Sequence, residues 1–195
     1  MRTRHINRKV VLKKMAGKPI EVYSFFSGAG FLDLGFEEAG FDIVFVNEVN
    51  KQFLNVYQYA RRNKGKLPLY GYSSEDVRSF LSDENWYSRF PQYNDRTNKL
   101  IGFIGGPPCP DFSVAGKNEG ETGVNGQLTS IYVDLIVRRE PDFFVLENVK
   151  GLYKTRKHRE FYEKLKGWLE KSGYVLFDAV ENAIEYGTPQ YRERL

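Results

Sequence analysis

The chain of 195 residues, 28 % charged and 41 % hydrophobic with a net charge of +4, has the ordinary composition of a soluble globular protein and the length for one well-buried domain. No apolar stretch approaches a membrane span, no apolar h-region follows the basic N-terminus, and the single cysteine excludes an internal disulfide, which together read as a cytoplasmic protein with a free thiol. The modest positive charge permits a nucleic-acid partner without requiring one.

In chain order, residues 1–19 form a basic segment in which Arg2, Arg4, Arg8, Lys9, Lys13, Lys14 and Lys18 stand without an acid. It reads as a solvated tail, with a phosphate-contacting arm as the alternative. Residues 20–195 read as one domain. Ile20 to Phe25 is an apolar strand, followed by a glycine turn and a helix from Phe31 to Ala39. Phe41 to Asn47 is a second strand. Gln52 to Arg62 is a helix with Phe53, Leu54, Val56, Tyr57 and Ala60 on its apolar face. Gly65, Pro68 and Gly71 make the stretch from Lys64 to Tyr72 a loop. Ser73 or Ser74 is placed to cap a helix through Val77, Phe80 and Leu81. Glu84 to Asn98 reads as irregular. Leu100 to Ile104 is a buried strand. Ala115 to Gln127, rich in glycine and charge, is a mobile-loop candidate ahead of an amphipathic helix from Leu128 to Arg138. Asp142 to Leu146 is another buried strand, His158 to Lys171 a helix closed by Gly173, and Tyr174 to Ala179 a further strand. Alternating strands and helices predict an α/β fold, a mostly parallel sheet with helices on both faces.

Several residue groups in this pattern carry chemistry. Gly105-Gly106-Pro107-Pro108-Cys109 ends the buried strand abruptly. In a parallel α/β sheet that puts the thiol at the carboxyl edge, where ligands bind; a rigid turn with an idle cysteine is the alternative. Glu147 ends the strand Phe143 to Leu146 and emerges at the same edge, which is the physical reason to pair it with Cys109. A thiolate favoured by local positive charge or backbone N–H groups is a nucleophile, and a carboxyl group in a dry pocket is an acid. A surface carboxylate is the alternative for Glu147. Arg192 and Arg194, two apart on an extended segment, point the same way and suit a phosphate or a base carbonyl; a solvated charge run is the alternative. Phe26-Ser27-Gly28-Ala29-Gly30 lets a ligand approach the backbone closely, and Glu48 lies at the spacing of a ribose-binding acid. NAD would suit the same pattern, except that Asp33 stands where the third glycine of Gly-x-Gly-x-x-Gly belongs. His5 and His158 read as surface residues.

Four blocks occur in one order: Phe26-Ser27-Gly28-Ala29-Gly30, Pro107-Pro108-Cys109 with Phe112-Ser113, Glu147-Asn148-Val149, and Gln190-Tyr191-Arg192-Glu193-Arg194. With them the chain resembles the catalytic half of a DNA (cytosine-5) methyltransferase, from about Pro19 to Leu195. The resemblance implies a Rossmann-like methyltransferase fold, S-adenosylmethionine as cofactor and double-stranded DNA as partner. It implies Phe26, Ser27, Gly28, Ala29, Gly30, Glu48, Val49, Asp76, Val77, Pro107 and Leu128 as cofactor-binding residues. Phe26 would lie against the adenine, Glu48 on the ribose, Asp76 on the adenine amino group and Leu128 near the methionine end. A helix cap for Asp76 and a core leucine for Leu128 are the alternatives. It implies Cys109, Glu147, Arg192 and Arg194 as catalytic, with Arg194 near the target cytosine and Arg192 near the nucleophile loop. Ser113, Asn148 and Gln190 would serve the substrate pocket. Attack by a thiolate at C6 makes C5 enamine-like, and the target base must leave the stack to be reached. The loop from Gly116 to Gly126 is the candidate to close over it. No metal is implied.

The chain departs from the family in two places. Pro110 stands where many members carry glutamine, which stiffens the loop after Cys109. The family also continues beyond Gln-x-Arg-x-Arg into a further strand, a target-recognition region and a last helix. The expectation is therefore a fold incomplete at its C-terminus, a fragment or one half of a split enzyme acting with a second polypeptide. A non-catalytic cofactor- or DNA-binding subunit, or a degenerate remnant of the same fold, is the competing reading.

Overall fold

The computed structural model describes residues 17–62, 67–108, 124–154 and 156–195. The strands Ile20–Phe25 (β1), Asp42–Asn47 (β2), Tyr72–Ser73 (β3), Leu100–Gly105 (β4) and Phe143–Leu146 (β5) form one sheet in the order β3-β2-β1-β4-β5. Every neighbouring pair is parallel. The order reverses between β1 and β4, the switch point at which open α/β sheets bind ligands beyond their carboxyl ends. The helices are Phe31–Glu38 (α1), Lys51–Arg61 (α2), Asp83–Arg89 (α3), Val124–Arg139 (α4), Gly151–Lys154 (α5) and Arg156–Lys171 (α6). No helix among the described residues is long and apolar enough to cross a membrane.

The strands are apolar throughout because both faces are covered, as parallel sheets require. Val22, Ile43, Val46 and Ile104 face Leu54 and Tyr57 of α2, with Leu32 and Phe36 of α1 alongside. Tyr23, Phe25, Phe45, Ile101 and Phe103 face the other way, toward α3, α4 and α6. A bulge keeps this sorting consistent. Val22 pairs with Ile43 but Tyr23 pairs with Phe45, so Val44 is the extra residue and Phe45 stays on the face of Tyr23. There Trp86 is wholly buried, edge-on to Phe90 and Tyr93 at centroid distances of 4.6 and 4.9 Å. Arg139 is buried beneath it, donating to the carbonyls of Phe80 and Leu81 and pairing with Asp83.

Several sequence expectations are corrected. The stretch from Glu84 is helical as α3, because Ser82 caps it and Trp86 anchors it. Val77–Leu81 is a 3₁₀ turn capped by Asp76 rather than by a serine. Only Leu54, Tyr57 and Arg61 of α2 are buried, while Phe53 and Val56 are exposed. The helix α4 begins at Val124, inside the expected loop. His158 is buried, not on the surface.

Tyr174 to Ala179 makes no ladder among the described residues. It keeps the two-residue alternation of a strand, with Tyr174 and Leu176 partly buried and Val175 and Phe177 exposed. Apart from the Tyr174 N–H, which donates to the Leu169 carbonyl, side chains fasten it: the Tyr174 hydroxyl donates to the Pro141 carbonyl, its ring packs edge-on to Phe144, and Asp178 accepts from Tyr162 and Lys166. Beyond it, Glu181–Asn182 (β6) and Glu193–Arg194 (β7) pair antiparallel.

Candidate active site

The carboxyl ends of the parallel strands define one edge, and Phe26 to Gly30, Glu48, Pro107 and Glu147 follow strands that end there. Phe26 to Gly30 leave β1 in a turn with three left-handed residues, Phe26 (φ 53°), Gly28 (φ 55°) and Gly30 (φ 86°). A non-glycine residue in that region is strained, and such strain concentrates at functional sites. Phe26 is held there with its ring edge-on to Tyr132 at 5.8 Å. The Ser27 N–H donates to the Asn47 carbonyl, and the Gly28 N–H donates to Glu48 Oε2 at 2.8 Å. The other oxygen of Glu48 accepts from the Asn50 N–H at 2.8 Å. Glu48 is therefore a buried acceptor fixed by two amides, and a carboxylate has lone pairs beyond these two for ribose hydroxyls. Asn47 extends the joint to the next strand, donating to the carbonyls of Ser73 and Glu75.

The remaining predicted cofactor residues divide. Asp76 accepts from the Arg78 N–H and pairs with the Arg78 guanidinium at 2.7 Å, so the capping role is present in this structure. Val77 is a core residue and Val49 is exposed. Leu128 is partly buried against the core, and Pro107 is buried at the end of β4.

On the other side of the switch point the structure assembles an acid and two guanidinium groups. The Glu147 N–H donates to the Gly105 carbonyl at 2.9 Å, which places the residue directly beyond β5 beside β4. Its carboxylate lies over Gly106, where any Cβ would stand 3.0 Å from Oε2. Arg194 Nε sits 2.8 Å from Glu147 Oε1, and Arg192 reaches the same oxygen at 4.0 Å. The chain's return makes this possible: Asn148 and Leu195 exchange backbone hydrogen bonds, Val149 bridges to Arg194, and Lys150 pairs with Glu193. Asn182 Oδ1 accepts from the Arg192 N–H, fixing the hairpin from the opposite strand. Asn148 is buried in this joint, while Gln190 is exposed. Cys109, Ser113 and most of the loop from Gly116 to Gly126 lie outside the described residues, as do His5 and the basic tail up to residue 16.

Sequence reasoning missed a third group. Asp33 is wholly buried beneath the glycine turn, accepting from Ser24 Oγ at 2.8 Å and from the Tyr57 hydroxyl at 2.9 Å. Burial raises its pKa to about 6 against the lowering effect of those two hydrogen bonds and of Arg61. The available signal was an acid in the middle of an otherwise apolar helix face.

Strand order, parallel ladders and the glycine turn with its acidic partner define a Rossmann-like α/β protein of the methyltransferase arrangement. The comparisons with known proteins agree and go further. The profile of the C-5 cytosine-specific DNA methylases matches residues 20–195. The chain is 54 % identical over 181 residues to the type II methyltransferase M.NmeDI of Neisseria meningitidis serogroup C, covering 89 % of this chain and 42 % of that protein. It is 37 % identical to M.FnuDI of Fusobacterium nucleatum, covering 90 % of this chain and 45 % of the relative. A crystal structure of a protein assigned as a DNA modification methyltransferase encoded within a prophage (E. coli) superposes with a TM-score of 0.69 at 29 % identity, over 90 % of this chain and 44 % of that one. The chain belongs to the C-5 cytosine-specific DNA methylase family. It spans less than half the length of these curated relatives.

Proposed function

We propose that this chain supplies the methyl-donor site and the reacting residues of a DNA (cytosine-5) methyltransferase acting in the cytoplasm. The observation that carries the reading is the convergence of Glu147, Arg194 and Arg192 beside Gly106, on the same sheet edge as the glycine turn and Glu48. The residues present fit S-adenosylmethionine. Glu48 offers a fixed acceptor to a ribose, and the turn holds one side chain, Asp33, beneath it where a pyrophosphate-binding fingerprint needs a glycine. When bound, that cofactor supplies an electrophilic methyl group on a sulfonium.

The chain's own residues do the rest. The Cys109 thiolate adds to C6 of a cytosine flipped out of the duplex. Glu147, protonated, donates to N3 as negative charge develops on the ring, and C5 becomes nucleophilic. After C5 takes the methyl group, a water molecule takes the C5 proton, the C6–S bond breaks to release the Cys109 thiolate, and N3 returns its proton to Glu147, which restores the ring. Arg194 holds Glu147 until the base arrives and then serves the base carbonyl; the family resemblance assigns Arg192 to the nucleophile loop. The likeness to type II methyltransferases makes restriction-modification the fitting biological setting. Target recognition resides in the additional length the relatives possess, joined to this chain or borne on a second polypeptide.

The test is tritiated methyl incorporation into mixed-sequence duplex DNA, by this chain alone and with the remaining part of M.NmeDI added. Transfer is expected only with the addition, and it is lost in Cys109→Ser. Transfer that survives Cys109→Ser overturns the mechanism. Strong, sequence-specific methylation by the 195-residue chain alone contradicts the division of labour.

A further inference from the structure

Gly30 closes the glycine turn, and its back is occupied. A Cβ at Gly30 would lie 2.4 Å from two ring carbons of Tyr57, so the ring lies flush against the turn. Arg61, one turn further along α2 and buried, donates to the Gly30 carbonyl at 3.1 Å. Its guanidinium also lies 4.8 Å from the Tyr57 ring centroid and pairs with Glu37 of α1. The Tyr57 hydroxyl donates to Asp33 of α1, and the second Asp33 oxygen accepts from Ser24 of β1. The ring and guanidinium that touch the turn from α2 are thereby tied to α1 and β1. Glu48 holds the turn separately, by accepting from the Gly28 N–H.

We propose that Asp33, Tyr57 and Arg61 are positioning residues that hold the Gly28–Gly30 backbone in its cofactor-receiving conformation. The proposal rests on the reading of this turn as the S-adenosylmethionine site. None of the three touches the cofactor; they act through Gly30. A binding-competent conformation populated for only part of the time weakens apparent affinity by that fraction. Loosening the clamp so that the turn is correct about one-tenth of the time therefore raises the Kd about tenfold. The groups facing Asp33 are Ser24 on β1, Glu37 on α1, Tyr57 and Arg61 on α2, and Tyr132 on α4. Of these, Ser24 and Tyr57 donate to its carboxylate, and protonation of Asp33 weakens both bonds.

The experiment is calorimetric titration of the full chain with S-adenosylmethionine between pH 5.5 and pH 8. It compares wild type, Asp33→Asn, Tyr57→Phe and Lys99→Met. The last breaks the ion pair between Lys99, just before β4, and Glu21 near the start of β1, at the opposite end of β1 from the turn, and calibrates generic destabilisation. Circular dichroism confirms that each protein is folded at the titration temperature. We expect Asp33→Asn and Tyr57→Phe to bind about tenfold more weakly at pH 8 and Lys99→Met to match wild type. Wild-type affinity should fall toward that of Asp33→Asn as the pH drops, while Asp33→Asn itself stays nearly flat. If Asp33→Asn fails to fold, Tyr57→Phe and Ser24→Ala, which each remove one bond to the same carboxylate, decide the matter. Wild-type binding with unchanged affinity in the variants overturns the positioning role and leaves the cofactor site standing. Absence of binding to wild type overturns the cofactor reading and the proposal with it.

Discussion

Glu48 and Glu147 each stand one residue past a strand of the same parallel sheet, and they are held in opposite ways. Glu48 is buried and accepts from the backbone amides of Gly28 and Asn50. Its partners cannot leave without unfolding the turn. Glu147 keeps about a third of its side chain exposed and is held by Arg194, itself 28 % exposed and carried on a two-residue strand. Its partner can swing away at small cost. The contrast matches the tasks. Under the proposed function, an acceptor for a ribose is fixed before the ligand arrives, whereas a proton donor gives up its guanidinium partner to a base. One sheet edge thus carries a half fixed by backbone amides and a half held by a partly exposed ion pair.

This comparison can be broken most forcefully at the glycine turn. Gly30→Ala forces a Cβ into the Tyr57 ring at a left-handed φ, and should cost about 4 kcal/mol of unfolding free energy in urea titration. A loss below about 1 kcal/mol would mean that the turn is not rigidly backed.

Asp33 gives the next largest effect. Its pKa is raised to about 6, first by burial, from an ordinary value near 3.8. A raised acid favours the folded state where it is protonated. Its contribution is therefore fully present below about pH 4 and is lost as the pH rises through about 6, a change of about 3 kcal/mol. Wild type should lose that much stability relative to Asp33→Asn between those limits. Subtracting the variant removes the carboxylates common to both proteins, including Asp178, whose pKa is lowered by Lys166 and Tyr162. A flat difference would show that Asp33 does not titrate in this range.

The two acids themselves sharpen the contrast. Glu48→Ala leaves two backbone amides without their acceptor and should destabilise by about 2 kcal/mol. Arg194→Ala removes a partly exposed ion pair and should cost no more than about 1 kcal/mol, although methyl transfer by the completed enzyme should collapse. Equal costs for the two would erase the distinction drawn between the halves.

Much of this was legible in the sequence, and the exceptions share a cause. Four of the five main-sheet strands and the larger helices follow from apolar runs and glycine punctuation, and the order of the motif blocks located the edge; the two-residue β3, Tyr72–Ser73, lies where a loop and a helix cap were expected, because a strand that short carries no pattern of its own. Arg192 and Arg194 were readable as a same-side pair from their spacing alone. The failures lie where tertiary packing outweighs local pattern. Trp86 looks like one aromatic in a polar stretch, yet it nucleates α3 because a cavity of aromatic rings receives it. Phe53 and Val56 look like core residues, yet the sheet takes only Leu54, Tyr57 and Arg61 from α2. Phe53 and Val56, like Val49 and like Phe31 directly after the turn at 83 % exposure, leave apolar side chains exposed. Tyr174 to Ala179 has the strand alternation without a pairing neighbour among the described residues, since hydrogen-bonded pairing is a property of two segments and not of one. Asp33 was visible only as a missing glycine; its partners Ser24 and Tyr57 lie 9 and 24 residues away and come together only in the fold.

The central claim is that Cys109 is the nucleophile. It is tested most directly by incubating the chain, completed with the remaining part of M.NmeDI, with S-adenosylmethionine and duplex DNA carrying 5-fluorocytosine. Fluorine at C5 blocks the elimination that frees the enzyme. The account predicts a denaturation-resistant protein–DNA adduct that maps to Cys109 and is absent in Cys109→Ser. An adduct that persists in Cys109→Ser would place the nucleophile elsewhere and contradict the account.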